Sequence, residues 1–363
     1  MKGALQLGKV SNIRIMVHWT FLFILVWVVF LEIQKGGNFE SILFNLAFVL
    51  VIFLCVVLHE LGHGLMAKRF GIKTTKITLL PIGGVASLEG IPENPKHELL
   101  VALAGPVVNL VIAMVLYFAI PVQGFLKLHM TELLEKLSGF TLDNFLFYLF
   151  VANLGLVIFN LIPAFPMDGG RVLRALLTMG TDRVKATQIA ASIGQSIAVV
   201  FLLLGMLFNP FLILIALFVF LGAYGENKMV QQIALLKGHV VNEAMLTKIT
   251  LLKPNDTMER VVELILSGTE KDFIVEEDGK PVGILTNADI IKNSKNRNKP
   301  VREIMKTSFT EIDMHARLRD VLRSVEVQKE YFFPVLNRKG LLVGAIDMTN
   351  INEFILLQSK LDY

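Results

Sequence analysis

Along the first 230 positions the apolar residues come in long unbroken runs, not in the alternation that marks a soluble chain. These runs cover 15–33, 42–58, 99–120, 145–162, 193–208 and 211–224. A helix that crosses a hydrocarbon core needs about 20 predominantly apolar residues, so the pattern predicts about six transmembrane helices. Asn209 and Pro210 separate the last two runs, which fits two short spans or a helical hairpin. The first run carries His18 and Trp19 and has no small-residue cleavage site before Lys35, so it reads as a retained helix. Between the second and third runs, residues 73–88 are rich in β-branched side chains and broken at Gly83 and Gly84, which predicts a small membrane-associated β-hairpin. Irregular backbone near a membrane must be buried in protein or line a wet cavity.

Beyond residue 230 the pattern shortens to strands and amphipathic helices, in two copies of about 60 residues. One copy opens at Val241 and Met245, the other at Val301 and Met305. Each continues into a helix (257–266 and 316–327), a two-strand hairpin with a charged turn (273–285 and 333–346) and a last helix starting near 287 or 349. The expected organisation is a membrane domain over 1–225, a linker helix over 226–240 and a soluble repeat pair over 241–363, with copies at about 241–296 and 300–360. Charge follows the same division: 16 Lys/Arg and 12 Asp/Glu lie in residues 1–230, against 19 and 19 in the remainder. Over all 363 residues 54% are hydrophobic and 18% charged, where an ordinary soluble domain has roughly 25% charged. That excludes a wholly soluble chain and a disordered one. The net charge of +4 is too small to point to nucleic acid, and the single Cys55 excludes a disulfide framework or a cysteine-rich metal site.

Basic residues gather in alternate loops. Lys2, Lys9 and Arg14 precede the first run, Lys68, Arg69, Lys73 and Lys76 follow the second, and Arg171, Arg174, Arg183 and Lys185 follow the fourth. By the positive-inside rule, six spans then place both termini and the tail on the cytoplasmic side of the cell membrane.

The candidate chemistry sits at the end of the second run, in His59-Glu60-Leu61-Gly62-His63. Two histidines four apart project from one helix face and can hold one zinc ion, with Glu60 beside them as a proton acceptor. Ionisable groups closing a run of seventeen apolar residues are costly without a partner, which favours metal binding over a chance motif. A catalytic zinc wants a third protein ligand. His97, His129, His239 and His315 lie in loops or in the tail, and His18 has an ordinary interfacial setting beside Trp19. Asp168 follows the fourth run directly, after Pro163 and Pro166 and before Gly169 and Gly170, where bent backbone allows close approach; its plain alternative is a helix cap. Asn109 and Asn160 are polar groups in or ending apolar runs. They read equally as helix–helix hydrogen-bonding groups and as supports for a substrate backbone.

Taken together, His59-Glu60-x-x-His63, the Ala104-Gly105-Pro106-x-x-Asn109 segment and the segment from Asn160 to Gly170 resemble the site-2 protease family of intramembrane zinc metalloproteases (peptidase family M50). The resemblance implies that His59, His63 and Asp168 hold zinc, one ion per chain, and that Glu60 is the general base. It implies a transmembrane protein substrate that must unwind locally, with the hairpin containing Gly83 and Gly84 presenting an edge strand to it. The tail resembles a tandem pair of cystathionine-β-synthase (CBS) domains, which implies a soluble α/β module that can take an adenine nucleotide such as ATP or AMP and can form a homodimer. Gly283-Ile-Leu-Thr286-Asn-Ala-Asp289 matches the family's nucleotide segment, with Thr286 for a phosphate and Asp289 for a ribose hydroxyl. The second copy has Asp347 and Asn350 at those places, which disfavours a phosphate. The alternative for the tail is a dimerisation or docking module without ligand. For the whole chain the rivals are a CBS-regulated transporter or channel and an inactive protease-like receptor.

Overall fold

The computed structural model describes residues 3–361 apart from 82, 89, 91 and 329; Ile82, inside the expected hairpin, is therefore outside the described residues. Two compact units divide at residues 230 and 231.

The first unit opens with β1 (Ala4–Val10), β2 (Ile13–His18), α1 (Phe21–Gln34), α2 (Phe39–Arg69), β3 (Thr74–Leu80) and β4 (Gly83–Leu88). It continues with α3 (Pro95–Ala119), short α4 (Val122–Leu126) and α5 (Met130–Leu137), α6 (Leu142–Asn160), α7 (Asp168–Thr178), α8 (Arg183–Leu207) and α9 (Phe211–Leu235). Among the described residues five helices, α2, α3, α6, α8 and α9, are long and apolar enough to cross a membrane. Phe118, Leu207 and Phe208 are each at least three-quarters exposed on these helices or at their ends. Such faces suit acyl chains, not water.

The first expected span is resolved differently. Residues 13–18 form β2, and only the 14 residues of α1 are helical. Arg14 and His18 interrupt the apolar residues there, and Ile13, Ile15 and Val17 alternate at a strand period. A four-stranded sheet in the order β1-β2-β3-β4 results, with β2 and β3 parallel and the other pairs antiparallel. The expected hairpin is thus half of a larger sheet. Arg14 to Val17 of β2 pair in parallel with Lys76 to Leu79 of β3, so the chain enters β2 and, after α2, enters β3 at the same end of the sheet. A strand and a short helix together take the place of the one long helix expected there.

Capping residues set the long helices. Asn38 accepts from the Ser41 amide at the start of α2, Asn94 from Lys96 before Pro95 of α3, Thr141 from Asn144 at α6, and Asp182 from Val184 and Lys185 at α8. Where α2 crosses α3, a Cβ on Gly62 would lie 2.8 Å from the Ala104 carbonyl oxygen. Only a glycine admits that approach. Arg174 of α7, counted above among loop charges, is fully buried. Its guanidinium meets Glu98 of α3 at 2.6 Å and Glu226 of α9 at 2.5 Å, and Arg183 meets Glu98 at 3.0 Å. This network ties α7 to three neighbouring helices. Losing one member would leave an uncompensated buried charge.

The second unit holds β5 (Leu251–Leu252), α10 (Met258–Ser267), β6 (Phe273–Glu277), β7 (Lys280–Leu285) and α11 (Asn287–Asn293). The second copy repeats them as β8 (Ile312–Asp313), α12 (Leu318–Gln328), β9 (Phe332–Leu336), β10 (Leu342–Asp347) and α13 (Met348–Leu361). Each three-stranded sheet has one parallel and one antiparallel pair in the same arrangement. The copies exchange their leading segments. Leu246 bridges to Ala345 of β10, while Lys306 bridges to Ile284 of β7. Val241 lies in the core of the second copy and Val301 in that of the first. The segment expected as a separate linker helix is, through Leu235, the end of α9.

Candidate metal centre

His59 and His63 are the 21st and 25th residues of α2, and both are buried. Asp168 is the first residue of α7. The turn 161–167 before it folds back so tightly that a Cβ on Gly169 would lie 2.2 Å from the Ile162 carbonyl oxygen, and one on Gly170 would lie 2.6 Å from the Phe165 nitrogen. The two glycines let the turn pack onto the helix start and aim Asp168 inward. Its carboxylate is not spent on a cap. Oδ2 lies 3.2 Å from His59 Nε2 and 3.1 Å from His63 Nε2, and the two Nε2 atoms are 3.1 Å apart. Ligand atoms about 2.0–2.1 Å from a tetrahedral zinc are about 3.3 Å from one another. Among the described residues these three form the one cluster of such groups.

The outer ring nitrogens decide the tautomers. His63 Nδ1 lies 2.7 Å from the Val101 carbonyl, which can only accept, so Nδ1 carries the proton. For His59 the proof runs through two amides. Asn153 Nδ2 donates to the Leu149 carbonyl at 2.9 Å, which turns its Oδ1 toward Asn109. Asn109 Nδ2 donates to that oxygen at 3.1 Å, which turns its own Oδ1 toward His59 Nδ1 at 2.8 Å. Both imidazoles therefore present bare Nε2 lone pairs to one point, the state a metal requires. Gly105 of α3 leaves room at that point: a Cβ there would lie 2.2 Å from His63 Nε2 and 2.6 Å from His59 Nε2. Donor chemistry, spacing and open volume all fit a zinc ion.

The other candidates are placed as follows. Glu60 is packed by β4, since a Cβ on Gly84 would lie 2.7 Å from Glu60 Cγ. β4 is an edge strand, and Gly83 beside it has a φ of +132°, a conformation that suits glycine. Asn109 is fully buried behind His59. Asn160 donates to the Leu156 carbonyl at 3.0 Å within its own helix. His18 bonds Thr20 at 2.7 Å, near the start of α1. In the tail the Thr286 hydroxyl donates to Asp289, and Lys306 pairs with Asp289 at 2.9 Å. The sequence reading passed over Asn153 and gave Gly105 no role. A polar residue at mid-helix in an apolar run was the one signal for Asn153.

Replacing Asn109 by Leu is expected to lower zinc affinity 10–100-fold, the usual cost of losing a ligand's hydrogen-bond partner. Asn153→Leu, which leaves the Asn109 amide free to turn, should cost as much. The double variant should cost no more than either, because the two amides act in series. Competition with a chromophoric chelator measures all three, and additive losses would break the relay.

A protein-family model for peptidase family M50 matches residues 47–205, and a CBS-domain model matches 241–296. A zinc metalloprotease of Methanocaldococcus jannaschii is 35% identical over 97% of this chain and 96% of its own length. The chain belongs to peptidase family M50. Stage IV sporulation protein FB of Bacillus subtilis is 27% identical, covering 67% of this chain and 82% of the relative. The solved site-2 protease from Methanocaldococcus jannaschii is 42% identical over 62% of this chain and 95% of that one, with a TM-score of 0.45. The M50 chain described here is a multi-pass membrane zinc metalloprotease carrying CBS domains. The transporter and inactive-receptor readings fall away.

Proposed function

We propose that the chain is an intramembrane endopeptidase that hydrolyses a peptide bond in or near a transmembrane segment of another membrane protein. The observation that carries this is the meeting of two bare Nε2 atoms and one carboxylate oxygen inside an apolar helix bundle, with Glu60 one residue from the first histidine. Zinc held by His59, His63 and Asp168 supplies the charge that polarises a scissile carbonyl and makes water a stronger acid. Glu60 takes the proton of the attacking water and returns it to the leaving amine. An intact helix keeps its carbonyls in hydrogen bonds, so the substrate must be extended when it is cut. The unpaired edge of β4, which packs on Glu60, offers backbone donors and acceptors to such a strand. Gly83 and Gly84 leave the start of that edge without side chains.

The test uses the purified full-length chain in lipid nanodiscs with a panel of single-span substrates. Cleavage should map to the span or its boundary, stop with a strong chelator and return with zinc. Cleavage confined to water-exposed loops, or indifference to the chelator, would count against the reading.

We further propose, from the positive-inside rule applied to the basic loops, that the termini and the CBS pair lie on the cytoplasmic side. The pair is assigned an adenine nucleotide at Thr286 and Asp289. Burial raises the Asp289 pKa, but the Thr286 hydroxyl and the Lys306 ammonium outweigh it and hold the carboxyl below its usual range. The group is thus ionised at neutral pH and able to accept from a ribose, with a cation beside it for phosphate. The side chains of Asp347 and Asn350 instead accept from each other's backbone amides, at 2.8 and 3.1 Å respectively. Calorimetric titration with AMP and ATP should show one site per chain, weakened at least about tenfold in Asp289→Ala, the scale of one lost charge-assisted hydrogen bond. Absence of heat with both nucleotides at millimolar concentration would leave the pair as a docking or homodimer module.

A further inference from the structure

A basic cavity lies where the β1–β2 turn meets the end of α2. Its volume is about 540 Å³, and it is lined by Lys9, Arg14, Lys68 and Lys73, with the hydroxyls of Ser11 and Thr74. Among the described residues that line it there is no carboxylate. Two stretches of chain far apart in sequence, 9–14 and 68–73, supply these cations, and the fold brings them together. Ser11 and Asn12 adopt left-handed backbone with φ of 51° and 73°, which closes the β1–β2 turn. Lys68 Nζ then donates to the Ser11 carbonyl at 3.2 Å and its hydroxyl at 3.0 Å, fixing the turn against the last turn of α2. Like charges gathered around one hollow repel one another unless an anion shares it. The positive-inside rule accounts for basic residues in this loop. It does not account for their convergence on one cavity with hydroxyls between them.

The place of the cavity decides which anion. Lys68 is in the last turn of α2, a helix long and apolar enough to cross a membrane, so the basic cluster lies at the level where that helix leaves the bilayer. The pairing of Ala4 with His18, just before α1, and of Val10 with Ile13, at the turn, sets Leu5 and Leu7, 70% and 63% exposed, toward α1 and Lys9 away from it. A bulge between Gln6 and Gly8 puts Leu5, paired with Val17, and Lys9, paired with Arg14, on opposite faces of the strand pair. The phosphates of anionic lipids stand at that level, and each basic group near them adds attraction. We propose that this cavity binds the phosphate headgroup of an anionic phospholipid.

The test is native mass spectrometry of the full-length chain released from nanodiscs of phosphatidylglycerol and phosphatidylcholine in equal amounts. The wild type should retain phosphatidylglycerol selectively. Lys9→Gln/Arg14→Gln/Lys73→Gln should lose that selectivity by about a hundredfold, the effect of three basic groups at an anionic membrane surface. Lys127→Gln/Lys185→Gln/Lys237→Gln, with the same charge removed elsewhere, should keep it. Lys73→Gln alone should give a partial loss, which separates lipid binding from misfolding of the triple variant. Equal retention by the wild type and the cavity variant would overturn the proposal. So would displacement of the lipid by millimolar glycerol 1-phosphate, which would make this a soluble phosphate site.

Discussion

Glu60→Gln is expected to cut peptide cleavage by at least 10²–10⁴-fold, the range that a positioned general base contributes. Zinc should stay bound, because none of the three converging atoms belongs to Glu60. Glutamine keeps the Cγ that β4 packs against at Gly84, so the strand should not move and substrate binding should persist. The measurement pairs metal content with single-turnover cleavage of a span substrate. A variant that still cuts at the wild-type rate would remove Glu60 from the mechanism, whatever its zinc content.

Gly105→Ala is expected to abolish metal binding in a chain that still folds. The new methyl would be forced to 2.2 Å from His63 Nε2 and 2.6 Å from His59 Nε2. Neither ring can retreat easily, since Val101 and Asn109 hold the outer nitrogens. Alanine is also a better helix former than glycine, so α3 itself is not weakened. Zinc content should fall below a tenth of the wild-type level, with helix content unchanged by circular dichroism. Full zinc occupancy would mean that the rings swing aside, and that the helix crossing does not guard the site.

The parts legible from sequence were those whose partners are near in the chain or announced by backbone-bending residues. His59 and His63 are one helical turn apart, and Asp168 is framed by Pro163, Pro166, Gly169 and Gly170. The structure brings these three side chains together. The N-terminal hairpin was hidden because a hydropathy sum over residues 15–33 counts Ile15 and Val17 as helix-like, whereas their alternation with Arg14, Met16 and His18 is a strand's. Partners far apart in sequence left no local trace. Arg174 finds Glu98 76 residues away and Glu226 52 residues away, and Asn109 finds Asn153 44 residues away. The exchange of leading segments between the CBS copies escaped for a related reason. Repeats look self-contained along the chain, and only packing reveals that Val241 and Val301 belong to the opposite cores.

The brevity of α1 has a bearing on the lipid around it. Fourteen residues rise about 21 Å, against a hydrocarbon thickness of about 30 Å. The remainder of that passage is strand, and its neighbours in the sheet carry polar backbone down with them. Bilayer beside α1 must then shorten to meet the protein, at a cost of fractions of a kcal/mol per ångström. A pinched annulus on this flank would bring solvent nearer to mid-depth than elsewhere on the perimeter, easing the loss of helix in any segment that approaches from there.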